Sequence, residues 1–124
     1  MKPNHQRFGC TKKQWDSYVT DAQKILVEIA RQRAMITYGE LAERMTTIRV
    51  EPYDLTLWEI IGDVSRQEEA VGRGLLSVVV VHKHGDMEPG HGFFELARHY
   101  RRDLSDRTKC FVDELHRVHR VWSR

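Results

Sequence analysis

Residues 75–82, Leu-Leu-Ser-Val-Val-Val-Val-His, decide the fold class. A run dominated by β-branched residues predicts a strand, and because both of its faces are apolar, a strand buried on two sides. Everything around it reads as helix, so this one segment moves the expectation from all-α to α+β. Upstream, Gly72-Arg73-Gly74 is a break; downstream, residues 84–92 hold Gly85, Pro89, Gly90 and Gly92 and read as a loop. Ser77 interrupts the apolar run, and a hydroxyl buried there needs a hydrogen-bond partner.

Helices flank the strand on both sides. Trp15, Tyr18, Val19, Ala22, Ile25, Leu26, Ile29 and Ala30 form one apolar stripe at helical spacing, which predicts a helix over 12–33 with Thr11 as its N-cap. Residues 35–38 read as extended. Thr37, with Glu40 three positions on, forms a capping box for a short helix over 39–45. Ile48-Arg49-Val50 reads as a brief strand or extended chain. Pro52 suits the first turn of a third helix over 52–62. Gly62 weakens its continuation by about 1 kcal/mol relative to Ala, and Ser65 with Glu68 reads as the cap of a following turn. A helix is expected from Phe93 to about Arg102. A last helix, capped by Ser105 or Asp106, carries Phe111, Leu115, Val118 and Trp122 on one stripe.

A chain of 124 residues that is 40% hydrophobic and 31% charged is one ordinary globular domain with material for a core. The longest apolar run is seven residues, Leu75 to Val81, against the roughly 20 that a membrane span needs. Met1 to Cys10 shows no apolar h-region, so no secretory signal is expected. Cys10 and Cys110 are too few and too far apart for a disulfide framework or a zinc ribbon. The expected setting is cytoplasmic, with both thiols reduced.

The formal net charge of +2 conceals a segregation. Residues 1–50 carry nine Lys/Arg against five Asp/Glu, residues 51–95 three against nine, and residues 96–124 eight against four. A basic–acidic–basic chain in one small domain predicts a positive and a negative face, a feature that speaks to partners.

The order helix, Ile36-Thr37-Tyr38-Gly39-Glu40-Leu41-Ala42, helix, strand and Gly-rich loop resembles a winged helix. Thr37 to Ala42 is similar to the T-Y-G-x-[IL]-A stretch in the DNA-binding domain of alkylguanine–DNA alkyltransferases and alkyltransferase-like proteins. Ala70-Val71-Gly72 with Val79-Val80-Val81 echoes their A-V-G…V-V pattern. Their P-C-H-R core is absent: Leu76-Ser77-Val78-Val79 stands there, with no catalytic cysteine. The resemblance implies a winged-helix-like domain over 12–124, after a basic N-terminal arm over 1–11. Gly90 to Ala97 is also similar to a stretch in small bacterial proteins, a likeness that carries no function.

Four functional readings compete. For nucleic acid, the second helix of a helix-turn-helix presents its N-terminal part to the bases. Here that helix with its following turn, 52–71, carries Asp54, Glu59, Asp63, Glu68 and Glu69 against Arg66. Phosphates would repel it. The candidate surface is therefore the basic terminal helices, with Lys12, Lys13, Arg98, Arg101, Arg102, Arg107, Arg117 and Arg120, and with His99, His116 and His119 adding charge in acid. For a metal, His82 and His84 at the strand end, with Asp86 and His91 in the loop, supply zinc or manganese ligand types. That H-x-H-x-D spelling is similar to the motif of metallo-β-lactamase-type hydrolases, whose fold is much longer. For acid–base chemistry, Asp63, Ser65, Glu68, Glu69, Arg73 and Ser77 bracket the strand, although a Glu69–Arg73 helix pair is the plainer account. For a protein partner, Tyr53 and one of Phe93 or Phe94 are the exposed aromatic candidates, while the three tryptophans read as core anchors.

The expectation that follows is a non-enzymatic adaptor or regulatory module. It would contact nucleic acid or a protein partner through the basic terminal helices, with no cofactor and no membrane. The alternative is a small metal-dependent hydrolase or nuclease.

Overall fold

Thr11 starts the first helix through a reciprocal box: its hydroxyl accepts the Gln14 N–H at 3.0 Å, and the Gln14 side chain accepts the Thr11 N–H at 2.8 Å. In the computed structural model, which describes residues 8–83, 85 and 87–123, helix α1 spans Lys12–Arg31. Trp15, Val19, Ala22, Leu26, Ile29 and Ala30 are buried, so the stripe read from the sequence is the core face. Phe8, from the expected N-terminal arm, stacks flat on Trp15 with ring centroids 5.5 Å apart. Arg33, at φ 52, turns the chain after α1.

Strand β1 (Ile36–Thr37) leads directly into α2 (Tyr38–Arg44). The expected capping box is present: Thr37 Oγ1 accepts from the Glu40 N–H and Glu40 Oε1 from the Thr37 N–H, each at 3.1 Å. Asp21 of α1 then pins the following loop, its carboxylate accepting from the Thr46 and Thr47 N–H groups and the Thr47 hydroxyl. Residues 48–50 form no strand.

The third helix corrects the sequence reading. Helix α3 spans Leu55–Ala70, starting after Pro52 and running straight through Gly62. The glycine penalty of about 1 kcal/mol is outweighed because the added turns bury Val64, Ser65 and Glu68. Ser65 is therefore no cap. It sits inside the helix, its hydroxyl 2.6 Å from that of Ser77, which is the partner Ser77 requires.

The predicted strand over 75–82 is the larger correction. Leu76–Val79 is a 3₁₀ turn, and only Val80–Val81 forms strand β2, parallel to β1 with Ile36 opposite Val80 and Thr37 opposite Val81. The segment is as buried as expected, but helices α1 and α3 bury it together with a later helix, α5 (Arg107–Trp122). Ahead of β2, two of its backbone donors go to helix side chains in place of a neighbouring strand. Leu75 N–H donates to Glu114 Oε2 at 2.8 Å and Ser77 N–H to Ser65 Oγ at 2.9 Å. Every buried N–H needs an acceptor, and here two side chains supply what a ladder would.

Helix α4 (His91–His99) follows the loop, and Asp106 caps α5 by accepting the Lys109 N–H at 3.0 Å. The whole is a mostly helical α+β fold with a minimal parallel sheet at its centre. Among the described residues, no helix is long and apolar enough to cross a membrane.

Candidate functional site

Behind the 3₁₀ turn lies a knot of charges. The Arg102 side chain, 17% exposed, uses all five of its N–H donors. Nη1 and Nη2 reach both oxygens of Glu69 at 2.9 and 2.7 Å, Nε and Nη2 reach Glu114 at 2.9 and 3.2 Å, and Nη1 also reaches the Tyr100 carbonyl. The bonds to Glu69 and then Glu114 raise the Arg102 pKa further above its ordinary value. Burial pushes the Glu114 carboxyl up, but the hydrogen bonds from Arg102 and the Leu75 N–H outweigh it and hold the group below its usual range. Glu68, fully buried, accepts from Arg73 Nε at 2.6 Å and from Gln23 at 3.2 Å.

This knot reassigns several expectations. Arg102 is a structural cation, drawn off the basic surface by its two carboxylates. The expected Glu69–Arg73 pair is replaced by Glu68–Arg73, because α3 stops at Ala70 and Arg102 takes Glu69. Of the acid–base set, Ser65, Ser77, Glu68, Glu69 and Arg73 are thereby engaged in holding the 72–79 segment.

The remaining cations spread over the surface. Lys12 and Lys13 begin α1, about 28 Å along the helix from Arg31 at 1.5 Å per residue. Lys12 pairs with Asp16 at 2.7 Å. Arg107 lies over the Phe94 ring, 4.1 Å from its centroid, and stands about 20 Å along α5 from Arg120. Arg98 and Arg101 are exposed at the end of α4. What does converge is the far end of α1 with the far end of α5. The His119 Nε2–H donates to the Ala34 carbonyl at 3.0 Å, which brings the end of α5 that carries Arg117 and Arg120 to the end of α1 that carries Arg31 and Arg33; the Arg117 stem itself lies against Gly74, beside Glu114. All four arginines are exposed. His119 itself is buried. Arg31 and Arg33 were missing from the sequence-derived set; their position just after the last apolar residue of the α1 stripe was the available signal.

On the opposite face of α3 a cleft of about 1010 Å³ opens between the start of α1, α3 and α4. At its base the Tyr38 hydroxyl accepts the Gly90 N–H at 3.1 Å, and the His82 ring lies 5.0 Å from that of Tyr38. A Cβ at position 90 would stand 2.6 Å from the Tyr38 oxygen, so the close approach requires glycine. Burial raises the Tyr38 pKa, offset in part by the Gly90 bond. Trp15 donates its Nε1–H to Asp63 Oδ2 at 2.8 Å, while Asp63 Oδ1 takes Arg66 at 2.6 Å. Trp58 stands at the cleft, 45% exposed, with its Nε1–H on the Pro52 carbonyl. Trp58 is therefore no core anchor, unlike Trp15. Tyr53 is exposed as expected, whereas Phe93 and Phe94 are both buried in the core.

Of the metal-ligand set, His82 and His91 both line the cleft; His91 pairs with Glu95 at 2.8 Å. His84 and Asp86 lie outside the described residues. Among the described residues no three His, Cys, Asp or Glu side chains gather as a metal site. Both cysteines are free thiols. No protein-family model, curated protein or solved structure matches the chain.

Proposed function

We propose that this chain is a non-enzymatic binding module that docks nucleic acid on the basic end built by Arg31, Arg33, Arg117 and Arg120. The observation that carries this reading is the His119–Ala34 hydrogen bond, which brings the two helix ends together. The acidic middle of the chain faces elsewhere: Glu59 and Asp63 line the cleft, and Glu68 and Glu69 are bound in the knot. The winged-helix reading belongs to the same proposal. In it α2 and α3 are the helix pair. The carboxylates of α3 then keep that helix out of the groove, and the phosphates are met by the arginines.

Four arginines neutralising about four phosphates give a salt exponent of about −3.6 on a duplex. Between about 50 and 200 mM salt, affinity for a short mixed-sequence duplex should fall about 10²-fold. Arg117→Glu with Arg120→Glu should weaken binding at low salt by at least about tenfold and flatten that dependence by about half. Binding by the double variant at wild-type strength would remove this surface from the account.

A further inference from the structure

The cleft face of α3 has its own composition. Leu55, Trp58, Glu59, Gly62 and Arg66 recur at i, i+3, i+4, i+7 and i+11 and line one wall, while His91, Gly92 and Glu95 of α4 line the other. From Leu55 to Arg66 the wall runs about 16 Å, the span of about five residues of extended chain. The volume of about 1010 Å³ is at the upper end for small-molecule sites. Gly92 leaves the α4 wall open, a Cβ there meeting no atom within 4 Å, whereas on the α3 wall the Arg66 guanidinium lies over Gly62. The Trp58 ring is held by its bond to Pro52 before any ligand arrives, so little ordering is needed on binding. Four carboxylates, Asp16, Glu59, Asp63 and Glu95, line the cleft against two permanent cations, Lys12 and Arg66. An indole face beside excess negative charge attracts a guanidinium and repels phosphate, so this surface is distinct from the basic end.

We propose that the cleft is a docking groove for an extended, arginine-bearing peptide segment of about five residues, seated between α3 and α4 with a guanidinium stacked on Trp58. The charge of that guanidinium is met by the carboxylates of the same walls, and the backbone of the segment passes over Gly92.

The test is fluorescence anisotropy of labelled Ala-Arg-Ala-Arg-Ala with the full chain at about 50 mM salt, against the same peptide with Glu in place of Arg. The basic peptide binds and the acidic one does not. Trp58→Ala weakens binding about two- to fivefold. Gly92→Leu, whose Cβ meets no atom within 4 Å, fills the groove and weakens it by about tenfold or more, with an unchanged circular dichroism spectrum. Equal binding of the two peptides, or wild-type binding by both variants, overturns the proposal. Argininamide binding as tightly as the pentapeptide makes the occupant a small organic cation and also overturns it. So does a DNA duplex that displaces the peptide, because both would then share one surface.

Discussion

Helix α3 has two polar faces with opposite fates. On one, Ser65, Glu68 and Glu69 are buried or nearly so and bonded to Ser77, Arg73 and Arg102. On the other, Trp58, Glu59 and Arg66 line an open cleft. The difference shows that charge on a helix says little until its surroundings are known. In the knot, the low exposure of Glu68, Glu114 and Arg102 makes their partners obligatory, because a lone buried charge is costly. In the cleft, water screens pairs such as Asp63–Arg66, so each contributes little to stability.

Glu114→Ala should break the knot most severely. It leaves Arg102 short of one carboxylate and the Leu75 N–H without an acceptor, a loss of about 3–5 kcal/mol in urea denaturation. Glu95→Ala, on the cleft side, should change stability by less than about 0.5 kcal/mol. Comparable costs for the two would erase the distinction.

Gly90→Ala comes next, at about 1–3 kcal/mol, because the new Cβ meets the Tyr38 oxygen. Adding Tyr38→Phe should return part of that loss, since the nearest remaining ring carbon stands at 3.4 Å. Strict additivity in a thermal-melt cycle would mean that the contact does not set the position.

Acid supplies a third, graded contrast. The Glu114 pKa in the folded chain lies below its ordinary 4.5, so its contribution is complete above that value and is lost as pH falls through the lower, folded one. Stability of the wild type should therefore decline more steeply below about pH 4.5 than that of Glu114→Gln, as followed by urea midpoints. Parallel curves would show that Glu114 is not held in its charged form. The smallest effect is expected of Gly92→Leu, which should leave the melting temperature unchanged or slightly raised while removing peptide binding.

Short-range patterns were legible in the sequence and capture of the backbone by side chains distant in sequence was not. The α1 stripe and the Thr11 and Thr37 caps depend on residues within a turn or two of one another, and they stand where the spacing put them. Leu75 to His82 misled because β-branched residues report burial as much as strand pairing. Its acceptors are Ser65 and Glu114, 12 and 39 residues from the donors they satisfy, beyond the reach of any local pattern. Arg102 read as a surface cation for the same reason, its carboxylates lying 33 and 12 positions away. The segregation of basic and acidic residues along the chain was legible. That Arg31 and Arg33 join Arg117 and Arg120 was not, because a single His119–Ala34 bond makes that junction.

The separation of two binding surfaces on one small domain is tested most directly by amide chemical-shift mapping with a short DNA duplex and with Ala-Arg-Ala-Arg-Ala in turn. The account predicts duplex-induced shifts confined to residues 31–34 and 117–123, and peptide-induced shifts along 55–66 and 91–95. Duplex shifts centred on α3, or the same residues moving with both ligands, would contradict it.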